Sequence, residues 1–174
     1  MEFVNIILEL FLNIILFFMI FQISTIIHEI GHALPALILT KENVKLTLGK
    51  NNKKLIKTSF RRLDIEIKGL NLFTGFVYWN ESKLTKSQKI LILAGGPIVS
   101  LVFGIMLLLI SKNMENQLLL ERIFLKEMIN LAGNYQLVTF IATAIPIIYP
   151  KWWAGYGGHP SDGYQILRLM KVIE

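Results

Sequence analysis

The chain has 174 residues, is 53% hydrophobic and has a mean hydropathy of +0.54, too apolar for an ordinary water-soluble domain. It has no cysteine, which excludes disulfides, thiolate metal ligands and a cysteine nucleophile. Its three histidines, His28, His32 and His159, are too few for a multi-histidine di-iron site. The net charge of +6 is uneven: Lys41 to Lys89 holds twelve of the eighteen Lys and Arg, against the acids Glu42, Asp64, Glu66 and Glu81. A basic block beside apolar runs reads as a cytoplasmic, lipid-facing surface, and no nucleic-acid motif accompanies it.

In chain order, residues 1–40 form one apolar, helix-like segment. From Phe3 to Thr40, at 1.5 Å per residue, it is about 57 Å long, more than a ~30 Å hydrocarbon core needs. Asn5, Glu9 and Asn13 mark its start as interfacial, and Pro35 is expected to kink its far end. A basic n-region and a small-residue cleavage site are both missing, so a cleavable signal peptide is not expected.

The segment closes on His28-Glu29-Ile30-Gly31-His32. Two histidines four apart share one helix face, so both imidazoles can reach a single Zn²⁺. Glu29 then sits where a carboxylate can take a proton from an activated water. Ionisable groups inside an apolar span are costly and point to function.

Residues 41–85 change character. Val44, Leu46 and Leu48 alternate with polar residues, as do Leu63, Ile65 and Ile67, so strands are expected. Leu55 to Phe60 is a weaker strand, and Phe73 to Trp79 is apolar on both faces. Gly49-Lys50-Asn51-Asn52 is a turn signal between two strands. The expectation is a small β-sheet inserted between the first and second membrane helices. It serves either as a solvated basic hairpin or as an edge that receives an extended substrate.

Residues 86–111 are expected to form the second membrane helix. Gly95, Gly96, Pro97 and Ser100 lie within it. Small residues allow close helix approach and a proline frees carbonyls, which suits either tight packing or a substrate and transition-state region. Residues 112–130 are mixed, with Glu115, Glu121, Arg122, Lys126 and Glu127, and read as a short interfacial amphipathic helix. Residues 131–150 are expected to form the third membrane helix, ended by Pro146 and Pro150. In residues 151–174, an aromatic loop offers Trp152, Trp153 and Tyr156 as interface anchors. His159-Pro160-Ser161-Asp162-Gly163 follows, then a short helix over Tyr164–Val172, with Asp162 at its N-cap position. The whole is read as one mainly α, membrane-embedded domain with three core transmembrane helices. A catalytic zinc site needs three protein ligands. His159 and Asp162 are both placed to supply the third.

Three features in this order resemble the site-2 protease family of intramembrane zinc metalloproteases, peptidase family M50. They are His28-Glu29-Ile30-Gly31-His32, Ala94-Gly95-Gly96-Pro97 through Ser100, and Asp162-Gly163. The resemblance implies that His28, His32 and Asp162 hold Zn²⁺, that Glu29 is the general base, and that His159 stands beside the metal set. It implies an endopeptidase cutting within or beside a transmembrane segment of a membrane protein or peptide, in contact with the lipid bilayer and open to a regulatory membrane partner. Ser100 stands where the family often has asparagine, and His159-Pro160-Ser161 replaces a Pro-x-x-Leu lead-in. The competing function is a catalytically silent scaffold or chaperone binding a partner helix; a base at Glu29 argues against it. The charge bias places the basic block inside and the N-terminus outside, in a multi-pass protein of a bacterial cytoplasmic membrane with its active site toward the cytoplasm.

Overall fold

The computed structural model describes residues 2–50, 55–70, 72–114, 120–153 and 155–173. The described elements are α1 (Glu2–Leu39), β1 (Val44–Leu48), β2 (Ile56–Phe60), β3 (Leu63–Ile67), β4 (Gly75–Tyr78), α2 (Lys86–Asn113), α3 (Leu120–Ala144) and α4 (Asp162–Leu169). The fold is mainly helical with one small mixed sheet.

Among the described residues two helices, α1 over Ile6–Leu39 and α2, are long and apolar enough to cross a membrane. In α1, residues from Val4 to Met19 expose apolar side chains such as Leu10, Phe11 and Phe18. That surface suits hydrocarbon, not water. α1 stays helical through Pro35. Its end is held by Arg62, which donates to the carbonyls of Thr40 and Leu37 at 2.5 and 2.8 Å. A guanidinium there meets the orphan carbonyls and the negative end of the helix dipole.

The sheet order is β2-β3-β1-β4, with β1 parallel to β3 and antiparallel to β4, and β2 antiparallel to β3. The turn at Gly49 therefore does not join neighbours, because β3 lies between β1 and β2; Asn51 and Asn52 lie outside the described residues. Burial explains the order. Val44, Leu46 and Leu48 of β1 form a core with Ala33 and Ala36 of α1 and Ile92 of α2. β2 is exposed along its whole length and takes an edge. The tight hairpin is β2–β3, turned by Arg61 and Arg62, with Arg61 at φ 52°. Two-residue hairpins demand positive φ, and the usual Asn or Gly signal is missing here.

α2 starts with a capping box. Thr85 Oγ1 accepts from the Gln88 N–H, and the Thr85 N–H donates to Gln88 Oε1 at 2.9 Å. α2 and α3 pack at Gly104 and Gly133, where a Cβ on Gly104 would lie 3.1 Å from the Gly133 carbonyl.

The expected division at 112–130 and 131–150 differs from the structure. α3 runs unbroken from Leu120, so residues 120–130 of the amphipathic stretch are its first three turns, while Lys112 and Asn113 close α2; Glu115 lies outside the described residues. No proline interrupts the sequence there. The helix ends at Ala144 and not near Tyr149, because Pro146 lacks an N–H and pushes Ile145 out of the helical region. Ile148 then bridges Pro160, with Tyr149 N–H donating to the His159 carbonyl and Gly158 N–H to the Tyr149 carbonyl, both at 2.9 Å. This ladder returns the aromatic loop toward α1.

Candidate active site

His28, Glu29 and His32 are buried on α1, about two to three turns before its end. His28 Nε2 and His32 Nε2 are 3.2 Å apart. Asp162 Oδ2 lies 3.3 Å from the first and 3.4 Å from the second. Four ligands placed tetrahedrally at roughly 2.0–2.1 Å from Zn²⁺ stand about 3.3 Å from one another. The three donor atoms thus sit at tetrahedral edge lengths around one point.

The far side of each imidazole is also engaged. His32 Nδ1 donates to the Ile92 carbonyl at 2.8 Å, which leaves the lone pair on Nε2 for the centre. His28 Nδ1 is 3.0 Å from Ser100 Oγ. The donor set of two imidazoles and one carboxylate, with both rings pinned from behind, fits a catalytic zinc site with a fourth position open.

Gly96 lies against the His32 ring, Ser100 against His28 Nδ1 and Gly95 against Gly31, and none of Gly95, Gly96, Pro97 and Ser100 is among the described residues that line the cavity. A Cβ on Gly96 would collide with the His32 ring, and Gly31 and Gly95 press backbone on backbone. These residues let α2 approach α1 closely enough to pin the rings. Ser100 is fully buried and its hydroxyl is already committed to His28.

Asp162 is brought in by Ser161, not by capping its own helix. Ser161 is the N-cap of α4, accepting from the Tyr164 N–H at 3.1 Å. Its hydroxyl also donates to the Ile145 carbonyl at 2.6 Å and accepts from the Ile147 N–H at 3.2 Å. Gly163 lets the first turn of α4 press on the Ala144 carbonyl, where a Cβ would clash. Reading the sequence missed Ser161. The signal was present, because serine directly before an acidic first turn is a strong N-cap.

His159 does not join the donor atoms. Its ring packs on Phe76 at 5.1 Å between centroids. Tyr156 also departs from its expected place as an interface anchor. It turns inward, its ring between Phe76 and Tyr149 at 5.6 and 5.7 Å, and its Oη accepts the Gly75 N–H at 2.9 Å. Trp152 and Trp153 stay exposed at the loop surface.

These groups line a cavity of about 1030 Å³ that holds His28, Glu29, His32 and Asp162 beside β4, Trp79 and Tyr156. Glu29 faces Gly75 so closely that a Cβ there would collide with the Glu29 side chain. Phe18, Phe21, Phe73 and Tyr135 line its apolar part, with Phe21 and Tyr135 rings 4.1 Å apart.

The family model described as peptidase family M50 matches residues 16–154. That range covers the His28–His32 motif and the Gly95–Ser100 stretch and ends short of Asp162, whose place at the site comes from the geometry. No curated protein matches the chain significantly.

Proposed function

The chain belongs to peptidase family M50, the site-2 protease family of membrane-embedded metallopeptidases; from that premise we propose that it is an intramembrane zinc endopeptidase. Its substrate is a peptide bond in or next to a transmembrane segment of a membrane protein or peptide. The observation that carries the reading is the triangle of His28, His32 and Asp162 donor atoms, each pair 3.2–3.4 Å apart, with Glu29 in the same cavity.

A Zn²⁺ held by these three side chains supplies, when bound, a water of lowered pKa and a Lewis acid for the substrate carbonyl. Glu29 accepts the proton of the attacking water as the new C–O bond forms, and the carbonyl π pair moves to oxygen. When the C–N bond breaks, Glu29 returns that proton to the leaving amine. A helical peptide bond is shielded by its own hydrogen bonds, so the substrate enters locally extended.

β4 is the strand that receives it. Gly75 N–H points away from β1 toward Tyr156, so by the strand's alternation the N–H and C=O of Val77 also face outward. β4 ends the sheet order, and its outer edge lines the cavity. Backbone pairing there gives affinity with little sequence demand.

α3 serves as the third span, and the basic sheet lies on the cytoplasmic side of a bacterial cytoplasmic membrane. His32 is about 10 Å from the end of α1 at 1.5 Å per residue, which sets the active site near that side.

The test compares wild-type protein with Glu29→Gln. The wild type should bind one zinc and cut a transmembrane reporter. The variant should keep the zinc and lose at least ~10²-fold in rate, because the ligands remain while the base is gone. Equal cleavage by both, or no zinc in the wild type, overturns the reading.

A further inference from the structure

The reaction builds negative charge on the carbonyl oxygen, and a donor aimed at that oxygen is worth a large part of the rate. Ser100, which stands where the family often has asparagine, is fully buried against His28 and absent from the cavity wall. The donor must come from a group that lines the cavity.

Tyr156 lines it. Its Oη accepts the Gly75 N–H, and Gly75 in turn lies against the Glu29 side chain. One residue of β4 thus joins the phenol to the base. Among the described residues no acceptor is found for the Tyr156 O–H. The neighbouring phenol differs: Tyr149 donates to the Ala142 carbonyl at 3.1 Å and is spoken for.

Position along β4 adds a second argument. Val77 offers its N–H and C=O to an added strand, but at Gly75 the outward N–H is already held by Tyr156. A substrate paired at Val77 therefore meets a phenol, not a further ladder donor, at the next pairing position. A peptide group leaving the ladder there would meet Tyr156, which holds the Gly75 N–H, and Glu29, which lies against Gly75.

The phenol is also locked in place. Gly155, at φ +89°, packs against the Thr74 side chain so tightly that a Cβ would clash, which fixes the loop on β4. Burial, and then the nearby Glu29 charge, push the Tyr156 phenol well above its ordinary range, so it remains an O–H donor and not a phenolate.

We propose that Tyr156 is a catalytic residue, donating its phenolic hydrogen bond to the substrate carbonyl oxygen as that oxygen becomes negative. No proton is transferred by it; the proton of water still goes through Glu29. The inference rests on the peptidase reading given above.

The experiment is Tyr156→Phe, which removes one oxygen and keeps the ring. kcat on a transmembrane reporter should fall about 10²–10³-fold, as for loss of other oxyanion donors, with KM and zinc content unchanged. Affinity for a peptide phosphinate, whose charged oxygen mimics the developing one, should fall with kcat, while binding of an uncleaved amide peptide to a Glu29→Gln background should not. A normal kcat, or equal weakening of both ligands, overturns the role. Should the Tyr156→Phe protein not fold, fluorotyrosines at 156 keep the O–H while changing its acidity. A kcat that follows acidity supports the proposal, and a flat series overturns it. Wild-type cleavage beside an unimpaired Tyr156→Phe overturns Tyr156 alone; a wild-type protein that neither binds zinc nor cleaves overturns both readings.

Discussion

Ser161 Oγ and the Ile145 carbonyl are joined by a 2.6 Å hydrogen bond that ties the first residue after α3 to the residue before Asp162. The same hydroxyl caps α4 and accepts from Ile147. One buried side chain thus fixes where the Asp162 carboxylate stands relative to α1. Ser161→Ala should cost about 1–2 kcal/mol in stability, from the lost cap and the orphaned groups. It should also weaken zinc binding roughly 10–100-fold, as loss of outer-shell support does. Zinc titration and chemical denaturation of the same preparation check this; unchanged zinc affinity would show that Asp162 is held by other means.

Asp162 and His159 make a paired prediction. Asp162 lies within 3.4 Å of both imidazoles, while the His159 ring packs on Phe76. Asp162→Ala should lose zinc and activity. His159→Ala should keep the metal. Metal content of the two purified variants decides it, and the reverse pattern would move the third ligand to His159.

Ser100 separates two roles that the sequence left together. If it orients His28, Ser100→Ala lowers zinc affinity about 10–100-fold, and kcat recovers when zinc is saturating. If it met the substrate, kcat would stay low at any zinc concentration. Its burial and its 3.0 Å contact with His28 Nδ1 predict recovery.

Neighbouring positions on β4 should respond to proline in opposite ways. Val77 directs its N–H outward, so Val77→Pro should impair cleavage while the sheet stays intact. Phe76 directs its N–H toward Thr47 of β1, so Phe76→Pro should destabilise the sheet itself. Thermal unfolding together with reporter cleavage distinguishes the two; a Val77→Pro protein that cuts normally would remove strand addition from the mechanism.

Orientation is open to labelling. A cysteine introduced for Lys57 on the exposed strand β2 should be unreactive to an impermeant reagent in intact cells, and reactive once the membrane is opened. Labelling from outside would invert the topology.

Much of this was legible in residue order because it depends on local periodicity and spacing. His28 and His32 share a helix face wherever that helix goes. Alternation marked strands at Val44–Leu48 and Leu63–Ile67, and hydropathy alone marked α1 and α2 as long enough to span. The family resemblance rested on those same local motifs.

What tertiary structure decided is everything that depends on distance between remote residues. Periodicity could not say that β3 would insert between β1 and β2, since that follows from which strand buries more against α1 and α2. It could not assign Ser100 to the back of His28, because residues 72 positions apart meet only when two glycine-lined helices close on each other. Nor could it turn Tyr156 inward. An aromatic residue in a membrane-flanking loop reads as an anchor until the Tyr149–His159 ladder folds that loop back over β4, where the Tyr156 oxygen accepts the Gly75 N–H.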